Sequence, residues 1–315
     1  MRILVTGGAG FIGSHVVDAF VGAGHRVAVV DNLSTGSRTW LNPTARLHVM
    51  DVRSARLGEV FEAERPEAVA HLAAQAAVSR SVADPVFDAS VNIQGGLNLL
   101  DCCRRFGVGR VIYSSSGGAG YGDTDRIPTP EDHPTLPMSP YGVSKVAFEL
   151  YLDAWRGLFG TRGISLRYAN VYGPRQSPEG EAGVVAIFCH RLLTGQQPII
   201  NGDGEQTRDY VYVEDVAGAN LRALERPEVT GAVNIATGIE TSVNELYRAL
   251  TSGAGLDTPP AHAAPRPGEQ RRSCLDPAAA GRRLDWTPSV PLREGLARTF
   301  DFFKKQMDCE EESTT

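Results

Sequence analysis

The chain has 315 residues, 42% hydrophobic and 22% charged, the composition of an ordinary globular protein with about two domains or one large one. A net charge of −6 gives no footprint for a nucleic-acid partner, and no apolar run reaches the roughly 18 residues of a membrane span. The five cysteines (102, 103, 189, 274 and 309) lack metal-like CxxC spacing, and an odd number excludes a complete disulfide framework.

The chain enters a strand at once (Arg2-Ile-Leu-Val-Thr6) without the regions of a signal peptide, so a reducing, cytoplasmic setting is expected. Apolar spacing then predicts a helix over 11–23 and a buried strand over Arg26–Asp31. Further strands are expected over Arg46–Asp51, Ala68–Leu72, Arg110–Ser114 and Ile164–Tyr168, with helices over 54–64, 84–106 and 141–159. Continuous apolar strands separated by helices mean a parallel sheet covered on both faces. After Tyr168 Pro and Gly become frequent, with long connections at 173–183 and 253–272 and helices expected at 184–194, 213–225, 242–252 and 291–306. This reads as a first domain over 1–168, to which 211–236 returns, and a smaller C-terminal lobe over 169–315. The acidic tail 308–315 is expected to be frayed.

Gly7-Gly-Ala-Gly10-Phe11-Ile12-Gly13 follows a strand and opens a helix, the context in which a glycine-rich loop binds a dinucleotide. The glycines permit a tight turn and close approach to a pyrophosphate facing the helix N-terminus. Asp31 ends the second strand about twenty residues on. Its carboxylate suits a ribose diol and repels a 2′-phosphate. Asn32, not an arginine, follows, so the cofactor reads as NAD rather than NADP. The fold class is therefore α/β: a Rossmann-type doubly wound parallel sheet with a smaller C-terminal substrate-binding lobe. Asp51, Val52, Leu72, Ala73 and Ala74 lie where strand ends should line the cofactor crevice. Asp51 either receives the adenine amino group or caps the turn before Arg53-Ser54. Asn92, a poor helix former within a helix, has either a cofactor role or a buried structural one.

Tyr141 and Lys145 stand one turn apart on a helix and so share a face. Only Lys304 and Lys305 are lysines besides Lys145. An ammonium and the positive ring of an oxidised nicotinamide both favour a phenolate, so Tyr141 reads as a base.

These residues resemble the extended short-chain dehydrogenase/reductase superfamily, in its sugar-nucleotide epimerase and dehydratase branch, nearest to the UDP-glucose 4-epimerases. The matching stretches are Thr6–His15, Asp31–Ser34, His71–Gln75, Ser139–Lys145, Leu166–Arg175 and Gly202–Tyr210, and the likeness runs from residue 3 to about 290. The resemblance implies that Tyr141 takes the proton from a sugar 4-hydroxyl while the C4 hydride passes to NAD and returns on the other face. Lys145 would hold the nicotinamide ribose, and Tyr168 would border the cofactor. A hydroxyl completes such sites four residues before the Tyr of a Tyr-Gly pair. Here that position is Gly117, before Tyr121-Gly122, so Ser116 is the candidate, with Ser115 behind it; both could instead simply end the strand.

Related dehydratases carry an acid two or three residues before that tyrosine. Gly118 and Ala119 stand there, which favours simple epimerisation. For a UDP-sugar substrate the resemblance implies Asn170 at the diphosphate and Val184, Ile199 and Asn201 around the nucleotide. Arg208 and Arg266 would pair with phosphate oxygens and Glu269 with the ribose. Ser273, seven residues after Arg266, would border the C2 substituent and leave room for an N-acetyl group. No metal is expected. A homodimer is implied, through a four-helix bundle of helices 84–106 and 141–159, with Leu97, Leu100, Phe148 and Leu152 either there or in the core. The alternatives are another NAD-dependent nucleotide-sugar epimerase, for UDP-glucuronate or a pathway-specific sugar, and a non-catalytic NAD-binding protein.

Overall fold

The computed structural model describes residues 1–179, 183–265 and 270–314. The first half alternates as the sequence suggests: β1 (Arg2–Thr6), α1 (Phe11–Gly22), β2 (Arg26–Asp31), β3 (Arg46–Val49), α2 (Leu57–Glu64) and β4 (Ala68–His71). Next come α3 (Val78–Ala83), α4 (Pro85–Ala89), α5 (Gly95–Arg105), β5 (Arg110–Ser116), α6 (Gly117–Tyr121), α7 (Pro140–Phe159) and β6 (Arg162–Tyr168). The remainder holds β7 (Asn170–Tyr172), α8 (Val184–Leu193), β8 (Ile199–Asn201), β9 (Thr207–Tyr212), α9 (Val213–Glu225) and β10 (Gly231–Ile235). It ends with β11 (Glu240–Ser242), α10 (Val243–Ala254), β12 (Ala261–Ala263), β13 (Arg272–Ser273), α11 (Ala278–Leu284) and α12 (Leu292–Thr314).

Seven strands form one sheet in the order β10-β6-β5-β4-β1-β2-β3. Every neighbouring pair is parallel. Chain order reverses between β1 and β4, so the strand ends there open the crevice in which such sheets bind ligands. Val16, Val17 and Phe20 of α1 and Val216 and Ala219 of α9 cover one face. Leu57, Phe61, Leu99, Leu100, Phe148 and Leu152 cover the other. Both faces are dry, which is why the strands read as unbroken apolar runs. Leu100, Phe148 and Leu152 thus belong to the core of the chain.

The second lobe packs α8, α10 and α12 around β9, with Tyr172, Phe188, Tyr212, Leu246 and Leu296 in its core. β9 pairs with β11 and β13, and β7 also pairs with β9; β8 and β12 form a separate parallel pair.

The structure differs from the sequence reading in three places. The single helix expected over 84–106 is two, joined by a π-helical turn at Ser90–Gln94. That extra residue per turn lets α5 begin on Gly95 and Gly96, which approach Val52 and the Phe148 ring too closely for any side chain. The short strands of the second lobe carry too few residues to show a period. The tail expected to fray at 308–315 instead continues α12 to Thr314. Among the described residues no helix is long and apolar enough to cross a membrane.

Candidate active site

At the cofactor end, Gly7 turns the chain out of β1 with φ +70°, and a Cβ there would meet the Ala73 amide nitrogen at 2.6 Å. Only glycine lets the loop lie on the end of β4 in this way. Gly10 stands at the N-cap of α1, so the helix N-terminus at Phe11 and Ile12 faces the crevice. The Asp31 carboxylate accepts the Ala9 amide at 2.9 Å and the Leu33 amide at 2.8 Å, which fixes it at the lip of the loop. Thr6 Oγ1 lies 2.7 Å from His71 Nδ1 and accepts the Ala73 amide at 3.3 Å, tying β1 to the Leu72–Ala74 segment. This glycine cradle, with a carboxylate at the next strand end, fits a dinucleotide.

Asp51 is bound within the protein. Its carboxylate accepts Arg53 Nη2 at 2.8 Å and the Arg53 amide at 2.8 Å, and also Asn32 Nδ2 at 3.2 Å. The Arg53 hydrogen bond pulls its pKa down to about 2. Of the two readings of Asp51, the turn before Ser54 is therefore present. Val52 is buried against Gly95.

Asn92 sits in the π turn with its amide fully engaged. Nδ2 donates to the Gln75 carbonyl at 3.0 Å, to Asp88 Oδ1 at 3.1 Å and to Ser144 Oγ at 3.1 Å, and Oδ1 accepts the Gln75 amide at 2.9 Å. It joins the β4 segment to α7. That is a structural role.

At the catalytic end, α7 is capped by Ser139, whose side chain accepts the Gly142 amide, and Pro140 fixes its first turn. Tyr141 and Lys145 project from this turn toward β5. Lys145 is buried; its Nζ donates to the Ser114 carbonyl at 2.8 Å and lies 5.0 Å from the Tyr113 ring and 5.7 Å from the Tyr141 ring. Ser116 stands near enough to the Tyr141 phenol to ease loss of its proton, and its side chain accepts the Ala119 amide at 3.4 Å, capping α6. Successive strand residues face opposite ways, so Ser115 cannot join it. Ser115 donates instead to Glu149 of α7 at 2.5 Å. The second serine candidate thus falls outside the site.

Burial pushes Tyr141 up to about 12, against the pull of Ser116. Burial also pushes Lys145 down to about 8. The expected acidification of the phenol needs the nicotinamide ring as well as the ammonium, and in the protein by itself desolvation dominates both groups. Tyr168, behind Ser114, accepts the Asn220 amide at 2.8 Å and is pushed up to about 12 by burial.

Sequence reasoning missed the buried polar frame around this end. Glu149 takes a bidentate grip from Arg167, at 2.6 and 3.1 Å, and Arg167 also donates to the Tyr121 hydroxyl at 2.8 Å, which donates to Asn234 at 2.8 Å. It also missed Asp88, although a carboxylate four residues before Asn92 on a helix was a readable sign.

The substrate candidates spread along the second lobe. Ser273 is buried on β13 beside Arg208 of β9, and a Cβ on Gly118 would lie 3.2 Å from its hydroxyl. Gln270 Nε2 donates to the Gly122 carbonyl at 2.6 Å, so this segment packs directly on the catalytic loop. Arg208 is half-buried and donates to the Thr207 carbonyl at 2.8 Å. Asn170 is exposed on β7, Val184 opens α8, and Ile199 and Asn201 lie on β8 beside Ala261 and Ala263. Arg266 and Glu269 lie outside the described residues. Among the described residues no group of three or more His, Cys, Asp or Glu could hold a metal ion.

Residues 3–236 match the model of the NAD dependent epimerase/dehydratase family. The chain belongs to that family. It is similar to the UDP-glucose 4-epimerase of Mycolicibacterium smegmatis, 45% identical over 97% of this chain and 99% of the relative. Its structure is similar to that of the Thermotoga maritima UDP-glucose 4-epimerase with UDP-glucose, with a TM-score of 0.94 and 48% identity over 98% of this chain and 100% of the other. It is also similar to the Thermus thermophilus UDP-glucose 4-epimerase in complex with NAD, with a TM-score of 0.91 and 44% identity over 96% and 99%.

Proposed function

We propose that this family member is an NAD-dependent UDP-hexose 4-epimerase, interconverting the glucose and galactose forms of a UDP-sugar. One observation carries the mechanism: Lys145 Nζ, buried, lies 5.7 Å from the Tyr141 ring, with Ser116 at the end of β5 beside the phenol. When bound, NAD supplies a hydride acceptor at the sugar C4 and a positive ring beside the phenol. Tyr141 removes the proton from the 4-hydroxyl and later returns it. Ser116 donates to the phenolic oxygen and so favours the phenolate. The Lys145 ammonium balances the negative charge of the ionised phenol. No carboxyl side chain stands on α6, whose residues are Gly117, Gly118, Ala119, Gly120 and Tyr121, so no acid is placed to expel water from the sugar. Arg208 and Ser273, on neighbouring strands against Gly118, are suited to the diphosphate and the sugar.

The partner is a second copy of the chain. Val143, Leu150, Tyr151 and Leu158 make one exposed apolar face of α7, with Leu150 and Leu158 67% and 70% exposed. This stripe, rather than the core residues Leu100, Phe148 and Leu152, is the bundle face. Cys102, Cys103, Cys189 and Cys274 are buried free thiols, which suits a reducing cytoplasm.

Incubation with a panel of UDP-sugars, with chromatographic separation of the products, tests the reading. UDP-galactose should appear from UDP-glucose and the reverse. Turnover of UDP-glucuronate alone would reject it.

A further inference from the structure

Lys145 is a buried ammonium, and among the described residues no carboxylate lies within ion-pair distance of it. Such a charge is costly unless an opposite charge faces it. The groups around it can be named element by element. From β4 comes His71, which burial and the Lys145 charge keep neutral, at about 3. Tyr113 comes from β5 and Tyr141 from α7, both held up by burial as neutral phenols. Two carboxylates remain, Glu149 of α7 and Asp88 of α4.

Glu149 is already neutralised. Arg167 grips both of its oxygens, and Ser115 donates to it as well. Asp88 differs. It is 1% exposed, and Oδ1 accepts from the neutral amides of Gln75, at 2.9 Å, and Asn92, at 3.1 Å. Its Oδ2 is buried with no hydrogen-bond partner. A buried carboxylate oxygen left without a donor is expensive, and Asn92, which donates to Oδ1, also donates to Ser144, the residue before Lys145. Asn92 of the π turn donates to Oδ1 and so leaves Oδ2 as the oxygen without a partner.

We propose that Asp88 is the counter-charge of Lys145, a positioning residue that keeps the ammonium protonated at working pH and acts on Tyr141 only through it. This deepens the epimerase reading and rests on it for its consequence in catalysis. The field is consistent with that assignment: Asp88 is the larger of the two influences that raise Lys145 against burial.

The chain has three lysines, which makes the test direct. Lysine labelled with 13C at Cε gives one buried signal, Lys145, and two exposed references, Lys304 and Lys305. Asp88→Asn keeps an acceptor for Gln75 and Asn92 and puts an NH2 where Oδ2 has no partner. In an NMR titration of the full chain, Lys145 should titrate at least about one pH unit lower in this variant than in the natural protein. Asp88→Ser removes the same charge in a smaller side chain and should move it the same way. A purely structural Asp88 would lower stability and leave the lysine where it is. Titration of Lys145 unchanged in either folded variant overturns the proposal. A lowered Lys145 in a protein that turns over no UDP-sugar supports the charge pairing and removes the epimerase reading instead.

Discussion

The Ser115 hydroxyl donates to the Glu149 carboxylate of α7 at 2.5 Å, two turns along that helix from Tyr141. Adjacent serines on one strand therefore serve different ends. Ser116→Ala should lower turnover by about tenfold or more, the lower range of a positioned proton-transfer partner. Ser115→Ala should leave turnover within about threefold and reduce unfolding free energy by about 1–3 kcal/mol, because Glu149 loses a buried donor. Steady-state rates and urea midpoints of both variants check this. The reverse pattern would mean that the strand end is rotated.

Ser273 lies against Gly118, next to the catalytic loop. A small residue there leaves space beside the sugar, so the natural protein should act on UDP-N-acetylglucosamine as well as UDP-glucose. Ser273→Tyr should remove turnover of the N-acetyl sugar while sparing UDP-glucose. Equal loss on both sugars, or no N-acetyl turnover to begin with, contradicts the size gate.

The parallel sheet was legible because its strands are buried on both faces and read as apolar runs. The glycine loop, Asp31, Tyr141 and Lys145 were legible because their spacing is local. What was not legible depends on packing between distant segments. The π turn leads into Gly95 and Gly96, which approach Val52 and Phe148, two contacts that no local period encodes. The choice between Ser115 and Ser116 depends on the phase of β5, which the run Ser114-Ser-Ser-Gly-Gly left open. Strands of two or three residues, such as β13, are made by their partners rather than by their own sequence. Asp88 escaped notice because its meaning lies in what faces it across α7.

Stability should fall in mild acid through two buried histidines. His71 is pushed down to about 3 and His15 to about 4, both mainly by burial. Folded, they stay neutral; unfolded, they gain protons below about pH 6.5. Their contribution is therefore whole above about 6.5 and is lost as pH falls toward 4 and then 3, at up to about 1.4 kcal/mol per unit for each. His25, shifted the same way, is mostly exposed and adds little. Urea midpoints at pH 7.5 and 5 should differ in the natural protein, and His71→Asn should shrink the difference. An identical pH dependence in the variant would assign the effect elsewhere.

The central claim is that Tyr141 moves the proton of the sugar 4-hydroxyl. It is tested most directly by the rate at which Tyr141→Phe, folded and loaded with NAD, converts UDP-galactose to UDP-glucose. Loss of the phenol should cost at least about a hundredfold relative to the natural protein, with fold and cofactor content unchanged. A rate close to that of the natural protein would contradict the account.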